Sequence, residues 1–206
     1  MKKFSKKTIN RAFLYIRTLE QLINNKHNLV SSGQLAKLTG LTSTQIRKDI
    51  SNFGKVGTPG IGYNTEELNE KLELFILQKQ VVHIAVFGIG NLGAAILKYP
   101  NFQKTKLNIV AGFDNDPKKV GKKFNSIPIH PIVNAPGVIK KTHTDIGIIA
   151  VPQKFAQEVA DIMVLSGLKG ILNFSPTTIN VPNDVFVKDI DFTISILSLF
   201  CRINLT

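Results

Sequence analysis

The chain has no tryptophan, a single cysteine (Cys201), and only 14 acidic residues against 26 basic ones. One thiol excludes an intrachain disulfide and fits a reducing cytoplasm. Lying in an apolar run, Cys201 is expected to be a small buried hydrophobe rather than a reactive group. There is no run of eighteen apolar residues, so a helical membrane span is not expected. The start, MKKFSKKTINRAF, has lysines but no apolar stretch behind them, which argues against a secretory signal. The 4 histidines are too scattered for a metal site. The shortage of acid is also uneven. Residues 1–60 carry eight Lys and three Arg against Glu20 and Asp49, which is +9 of the net +12. A basic lobe joined to a nearly neutral one predicts that one end meets a polyanion. With 206 residues, 43% of them hydrophobic, the chain has room for one large or two small well-packed soluble domains.

The most informative stretch is VVHIAVFGIGNLG, residues 81–93. The apolar run from Val81 to Phe87 predicts a buried parallel strand. It breaks at Gly88, and Gly90 and Gly93 complete G-x-G-x-x-G; Leu92, Ala95, Ile96 and Tyr99 then step at helical spacing. Gly88 permits the tight turn, Gly90 lets the backbone approach a pyrophosphate, and Gly93 lets the helix close onto the strand. Gly88, Ile89, Gly90, Asn91, Leu92 and Gly93 thus form a candidate diphosphate loop at a helix N-terminus. A second run, Leu107 to Phe113, ends in Asp114, 21 residues past the last glycine. A carboxylate there accepts from ribose hydroxyls and repels a 2′-phosphate, which favours NAD over NADP. Lys118 and Lys119 are expected in an exposed turn. Strands at Ile127–His130 and Ile146–Val151 and a helix from Phe155 to Ser166 follow. Their ends make Val151, Pro152, Asn173 and Phe174 candidates for the nicotinamide side of the crevice.

The basic lobe reads as short helices. Ile9, Ala12, Phe13, Ile16, Leu19, Leu22 and Ile23 mark an amphipathic helix with Arg17 on its polar face. Ser31 and Gln34 have capping-box spacing, the helix they open stops at Gly40, and Thr42 and Gln45 repeat the box ahead of a helix from Ser43 to about Phe53. Two short helices around a glycine turn form a helix-turn-helix signature, or else a hairpin used only for dimerisation. In the first case Ser43, Thr44, Gln45, Arg47 and Lys48 reach base edges and phosphates, while Leu41, Ile46 and Ile50 face inward. GKVGTPGIGY at 54–63 suits a flexible linker or a wing, and Lys55 and Tyr63 favour the wing. A helix from Thr65 to Lys79 closes the lobe near Lys79–Gln80.

From Asp191 to Leu205, apolar residues cover every side of a helix that Asp191 or Thr193 caps. Such a helix needs cover on all sides. At a chain terminus a second copy is the economical source, giving an isologous homodimer. The expected class is α/β: a winged helix-turn-helix domain at 1–80, a Rossmann doubly wound parallel sheet at 81–190, and a terminal dimer helix at 191–206.

Taken together, VSSGQLA, QIRKDISNFG, GIGY, VFGIGNLGAAI, AGFDNDP, IIAVP, GILNFSP and DIDFTISIL resemble the Rex family of redox-sensing transcriptional repressors. The resemblance implies a homodimer with a domain-swapped C-terminal helix. It implies an NAD(H) site and release from palindromic double-stranded operator DNA when NADH rises. By the same resemblance Arg47 and Lys48 make major-groove contacts and Asp114 is the ribose ligand; Ser32 is a further DNA-binding candidate. Arg17, Tyr99 and Asp191 form a switching set, and Phe192 reaches the other subunit's nicotinamide. One departure stands out: Pro59 occupies the wing position where the family commonly has an arginine, so a minor-groove contact is missing. Two rivals remain. A small NAD-dependent dehydrogenase would need an acid/base, for which the second lobe offers only His83, His130 and His143. A regulator of another nucleotide, such as coenzyme A, would bring a 3′-phosphate against Asp114.

Overall fold

The computed structural model describes residues 5–54, 56–58, 60–77, 80–100 and 106–205; Lys55 and Pro59 lie outside the described residues. The chain divides into two compact units, Met1–Gln80 and Val81–Thr206.

In the first unit α1 (Lys6–Asn24) starts at Ser5, whose side chain accepts from the Thr8 N–H. A short strand β1 (Leu29–Val30) leads to α2 (Ser32–Thr39) and α3 (Ser43–Asn52). At α2 the capping box is complete: Ser31 Oγ accepts from Gln34 N at 3.1 Å and Gln34 Oε1 accepts from Ser31 N at 2.7 Å. Gly40 closes α2 at φ +69°, a left-handed turn that glycine takes without strain. At α3 only half of the expected box forms. Thr42 Oγ1 accepts from Gln45 N at 3.2 Å, but the Gln45 amide turns away to Asp49. Strand β2 (Tyr63–Asn64) pairs antiparallel with β1, and Thr58 bridges Gly62, so the glycine-rich segment folds back as a small ribbon rather than a linker. Helix α4 (Thr65–Leu77) completes the unit. Ala12, Tyr15, Leu19, Leu35, Ile46, Ile50, Leu68 and Leu72 form its core. One expectation fails here: Phe13 is exposed and Tyr15 is buried in its place. The reason is polar, since the Tyr15 hydroxyl donates to buried Asp49 at 2.7 Å.

The second unit holds a seven-stranded sheet in the order β5-β6-β4-β3-β7-β8-β9. Its strands are β3 (Val82–Phe87), β4 (Leu107–Asp114), β5 (Lys123–Phe124), β6 (Ile127–Pro131), β7 (Ile146–Ile149), β8 (Gly170–Asn173) and β9 (Phe186–Asp189). All pairs are parallel except β5 with β6. Helices α5 (Asn91–Leu97), α6 (Ala135–Thr142), α7 (Ala156–Leu165) and α8 (Phe192–Asn204) complete it. The alternation along β3 explains why the sheet is covered on both faces. Ala85 and Phe87 enter one apolar cluster with residues of α6 and α7, while Ile84 and Val86 enter another with Ile89 and Leu97. The chain leaves β3 toward β4 and β6, then returns to β7 on the other flank. The direction of winding therefore reverses at the carboxyl ends of β3 and β7, where such sheets open a crevice.

Several local expectations are corrected. α5 ends at Leu97, so Tyr99 lies beyond the helix, and β7 stops at Ile149 instead of reaching Val151. Strands β5 and β9 and helix α6 were not anticipated. Cys201 is exposed, because α8 has no buried residue within this chain.

Candidate nucleotide crevice and nucleic-acid interface

The three motif glycines occupy three different environments at the head of β3. Gly88 has φ +92°, and a Cβ there would stand 2.6 Å from Val151 Cγ1 and 2.7 Å from the Ala150 carbonyl. At Gly93 a Cβ would lie 1.9 Å from the Gly88 carbonyl oxygen, so α5 sits on the strand only because that position has no side chain. A Cβ at Gly90, the N-cap of α5, would meet nothing within 4 Å. Gly90 therefore borders open space, the condition for a ligand to approach the backbone. Asn91 and Leu92 follow as exposed first-turn residues of α5. Ile89 differs from its neighbours: its side chain is buried and its N–H donates to Asp114 Oδ2 at 2.8 Å, so that amide is not offered to a phosphate.

Asp114 ends β4 beside this loop. Its carboxylate accepts from Ile89 N and Asp116 N, each at 2.8 Å, and from Lys119 Nζ at 3.0 Å. Burial pushes its pKa up, but the two backbone N–H groups and the Lys119 ammonium outweigh that and hold it below the ordinary carboxylate range. The Lys119 side chain is therefore not loose in an exposed turn: it reaches back onto Asp114 and lies 3.6 Å from Asp116 Oδ2.

Val151 is half-buried and Pro152 exposed where β7 ends. Asn173, at the end of β8, is fully buried; it donates to Thr177 O and Asp189 Oδ1 and accepts from Ser175 N. Both amide hydrogens are spent internally, so its side chain braces the strand end rather than facing a ligand. Phe174 is half-buried with its ring 6.1 Å from that of Phe192, which is itself 61% exposed. Asp191 caps α8, accepting from Thr193 N at 2.7 Å and Ile194 N at 3.1 Å. Tyr99 is exposed. In the other unit Arg17 is an exposed residue of α1.

Within the first unit, Arg47 and Lys48 are exposed on α3 and Thr44 is exposed one turn earlier. The Arg47 guanidinium donates to Ser32 Oγ at 3.1 Å and Thr44 Oγ1 at 3.4 Å. Ser32, Arg47, Gly57, Gly62 and Tyr63 line a cleft of about 460 Å³ between the helices and the ribbon. Tyr63 is only half exposed and packs against the unit's core, so it supports the ribbon more than it projects from it. Ser43 is half-buried at the start of α3. Gln45 is not free to read a base: its amide donates to Asp49 Oδ1 at 2.8 Å. Asp49, 2% exposed, also accepts from Arg11 Nε at 2.6 Å, Arg11 Nη2 at 2.8 Å and the Tyr15 hydroxyl. This buried network was missed in the sequence. A lone aspartate in the middle of an otherwise basic helix was its only signal. Lys55 falls outside the described residues.

Among the described residues no group of His, Cys, Asp and Glu is placed to hold a metal, and no helix is long and apolar enough to cross a membrane.

Comparison with known proteins agrees with both halves. Residues 3–51 match a model for the N-terminus of putative DNA-binding proteins, and residues 79–177 match a CoA-binding-domain model. A redox-sensing transcriptional repressor Rex from Carboxydothermus hydrogenoformans is 42% identical over 194 residues, covering 94% of this chain and 93% of its own. Another, from Caldicellulosiruptor bescii, is 39% identical over 206 residues, covering 98% and 95%. Crystal structures of RSP, a Rex-family repressor, superpose closely. The complex with NAD⁺ and operator DNA has a TM-score of 0.89 at 34% identity, covering 99% of this chain and 94% of that one. The NADH complex has a TM-score of 0.86 at 33% identity, covering 99% and 96%.

Proposed function

The chain belongs to the Rex family of redox-sensing transcriptional repressors, and from that membership we propose how its two units divide the work. The first unit reads operator DNA, the second binds NAD(H), and NADH releases the protein from its operator. The observation that carries this reading is the combination at the head of β3: open space at Gly90, zero clearance at Gly93, and a hydrogen-bonded carboxylate at Asp114. The same loop geometry serves coenzyme A, whose name the family model bears, but full-length relatives named as redox sensors favour NAD(H). The reading is of a regulator and not a catalyst, working in the cytoplasm.

On this assignment Gly88, Gly90, Asn91, Leu92 and Gly93 hold the pyrophosphate. Asp114 takes the adenosine ribose, and Val151, Pro152, Phe174 and a partner copy's Phe192 surround the nicotinamide. Reduced nicotinamide is uncharged and suits an apolar crevice better than the oxidised cation. Ser43, Thr44, Arg47 and Lys48 face the major groove, with Ser32 steadying Arg47. Support for a homodimer comes from α8, whose Ile196 and Phe200 are 67% and 62% exposed in a single chain. An apolar helix so bare needs a partner surface, and exchange between protomers supplies one. Arg17, Tyr99 and Asp191 are the proposed switch; Asp191 would have to give up cap bonds to change partner.

Titrating labelled palindromic DNA with the protein tests the reading. Release by NADH but not by equal NAD⁺ supports it; NADH turnover with a carbonyl compound and no effect on DNA would overturn it.

A further inference from the structure

Helix α3 is held in its unit by two physically different kinds of contact. Ile46 and Ile50 are buried in the apolar core, and attraction of that kind is non-directional. Asp49, buried between them, adds a directional lock. Its Oδ2 accepts from Arg11 Nε at 2.6 Å and from the Tyr15 hydroxyl at 2.7 Å. Its Oδ1 accepts from Arg11 Nη2 and Gln45 Nε2, each at 2.8 Å. All four acceptor positions of the carboxylate are filled. Arg11 and Tyr15 stand one turn apart on α1, so three of these bonds tie α3 to α1. The two-pronged fork of Arg11 fixes an angle as well as a distance. Burial and the bond to Asp49 hold the Tyr15 hydroxyl above its ordinary pKa, so it remains a donor. We propose that Asp49, clamped by Arg11 and Tyr15, is a positioning residue for operator recognition: the clamp fixes the rotation of α3 about its own axis and thereby aims Arg47 at its base.

The geometry of a helix carries the effect from one face to the other. Two residues apart, Asp49 and Arg47 point about 200° from each other around α3. Asp49 is 2% exposed and faces the interior, while Arg47 is exposed. A side-chain head stands about 5–6 Å from the helix axis, so a turn of about 10° carries it about 1 Å. Paired bonds to a base edge need placement within about 0.5 Å. A phosphate contact sets register without reading sequence and is less exacting. Loosening the clamp therefore costs selectivity before it costs general affinity for DNA. Ser32 and Thr44 brace the Arg47 head, whereas the clamp sets the helix that carries it. Arg11 keeps 22% of its side chain exposed, so its rival role is a direct phosphate contact.

The inference rests on the DNA-binding reading of the first unit, and the experiment separates the two. The probes are a palindromic duplex that the full-length wild type selects from a random pool and a scrambled duplex of equal length. Both are titrated with the wild type, Tyr15→Phe, Arg11→Lys and Arg11→Met, well below each variant's melting transition. Leu72→Val, in the core of the same unit, serves as a control for lost stability. Tyr15→Phe and Arg11→Lys should lower the selected-to-scrambled affinity ratio by about five- to tenfold. Binding to the scrambled duplex should stay within about threefold, with the salt slope unchanged. In an Arg47→Ala background the same two substitutions should move the ratio by less than about twofold, because the residue they aim is gone. Leu72→Val should lower the melting temperature and leave the ratio as it was. An unchanged ratio in Tyr15→Phe and Arg11→Lys, a full effect that persists without Arg47, or an equal effect from Leu72→Val overturns the positioning role. So does an Arg11→Lys that matches the wild type while Arg11→Met loses both duplexes equally with a shallower salt slope, the mark of a phosphate contact. A wild type that selects no duplex and binds all sequences alike would instead remove the DNA-reading role of the unit.

Discussion

A carboxylate with 2% exposure survives only if its charge is compensated, and Asp49 has four donors from three side chains. Burial raises its pKa, but bonds from Arg11, Tyr15 and Gln45 outweigh that and leave it below the ordinary range. The sign of the resulting linkage is fixed. The stabilisation is present above the unfolded-state pKa of about 3.9 and is lost as pH falls through the lower folded-state value. Urea melts of the first unit should therefore weaken in acid. Asp49→Asn should remove this group's share of that dependence and, at neutral pH, cost about 1–3 kcal/mol by weakening the bonds from Arg11, Tyr15 and Gln45. An Asn variant as stable as the parent at pH 7 would show the network to be idle. Gly93 makes a purely steric prediction. A methyl 1.9 Å from a carbonyl oxygen must displace α5, so Gly93→Ala should lower stability by about 1–3 kcal/mol and weaken NADH binding, read by thermal melts and nicotinamide emission.

At the scale of elements, the proposed function gives α3 two kinds of DNA contact to make. Arg47→Ala should cost about 1–3 kcal/mol on the cognate operator and relax selectivity at one base position. Lys48→Ala should weaken binding to all sequences and reduce the salt slope by about 1. Anisotropy titrations on operator and scrambled DNA at several salt concentrations distinguish the two. Helix α8 is the element whose exposed apolar surface predicts association. Phe200→Asp should shift the chain from dimer to monomer in sedimentation equilibrium, and an unchanged dimer would place the interface elsewhere. The elements most legible in the sequence were those whose signals are local. The Ser31 box, the Gly40 stop and the glycine turn each need only a few consecutive residues. What stayed hidden depended on side chains meeting across the fold. Thr42 and Gln45 repeat the spacing of a capping box, but Asp49 one turn on competes for the Gln45 amide and wins. Tyr15 displaced Phe13 from the core because its hydroxyl has a buried acceptor. Lys119 looked like turn charge because five residues of spacing give no clue to where a long side chain reaches back. Strand β9, of four residues at the sheet edge, lacks the apolar run that announces a buried strand.

At the scale of the molecule, two reading units and two cofactor crevices in a dimer make a linked system. NADH shifts the DNA equilibrium only by its difference in affinity between the bound and released conformations. Coupling of this kind is about 1–3 kcal/mol per site, so two sites acting together change operator affinity by about thirtyfold or more. Reciprocity then requires operator DNA to weaken NADH binding by the same factor. The most direct measurement is anisotropy of a labelled palindromic operator held half-saturated by the dimer, titrated in parallel with NADH and NAD⁺. NADH should empty the operator at concentrations where NAD⁺ leaves it occupied. Identical curves for the two redox forms would contradict it.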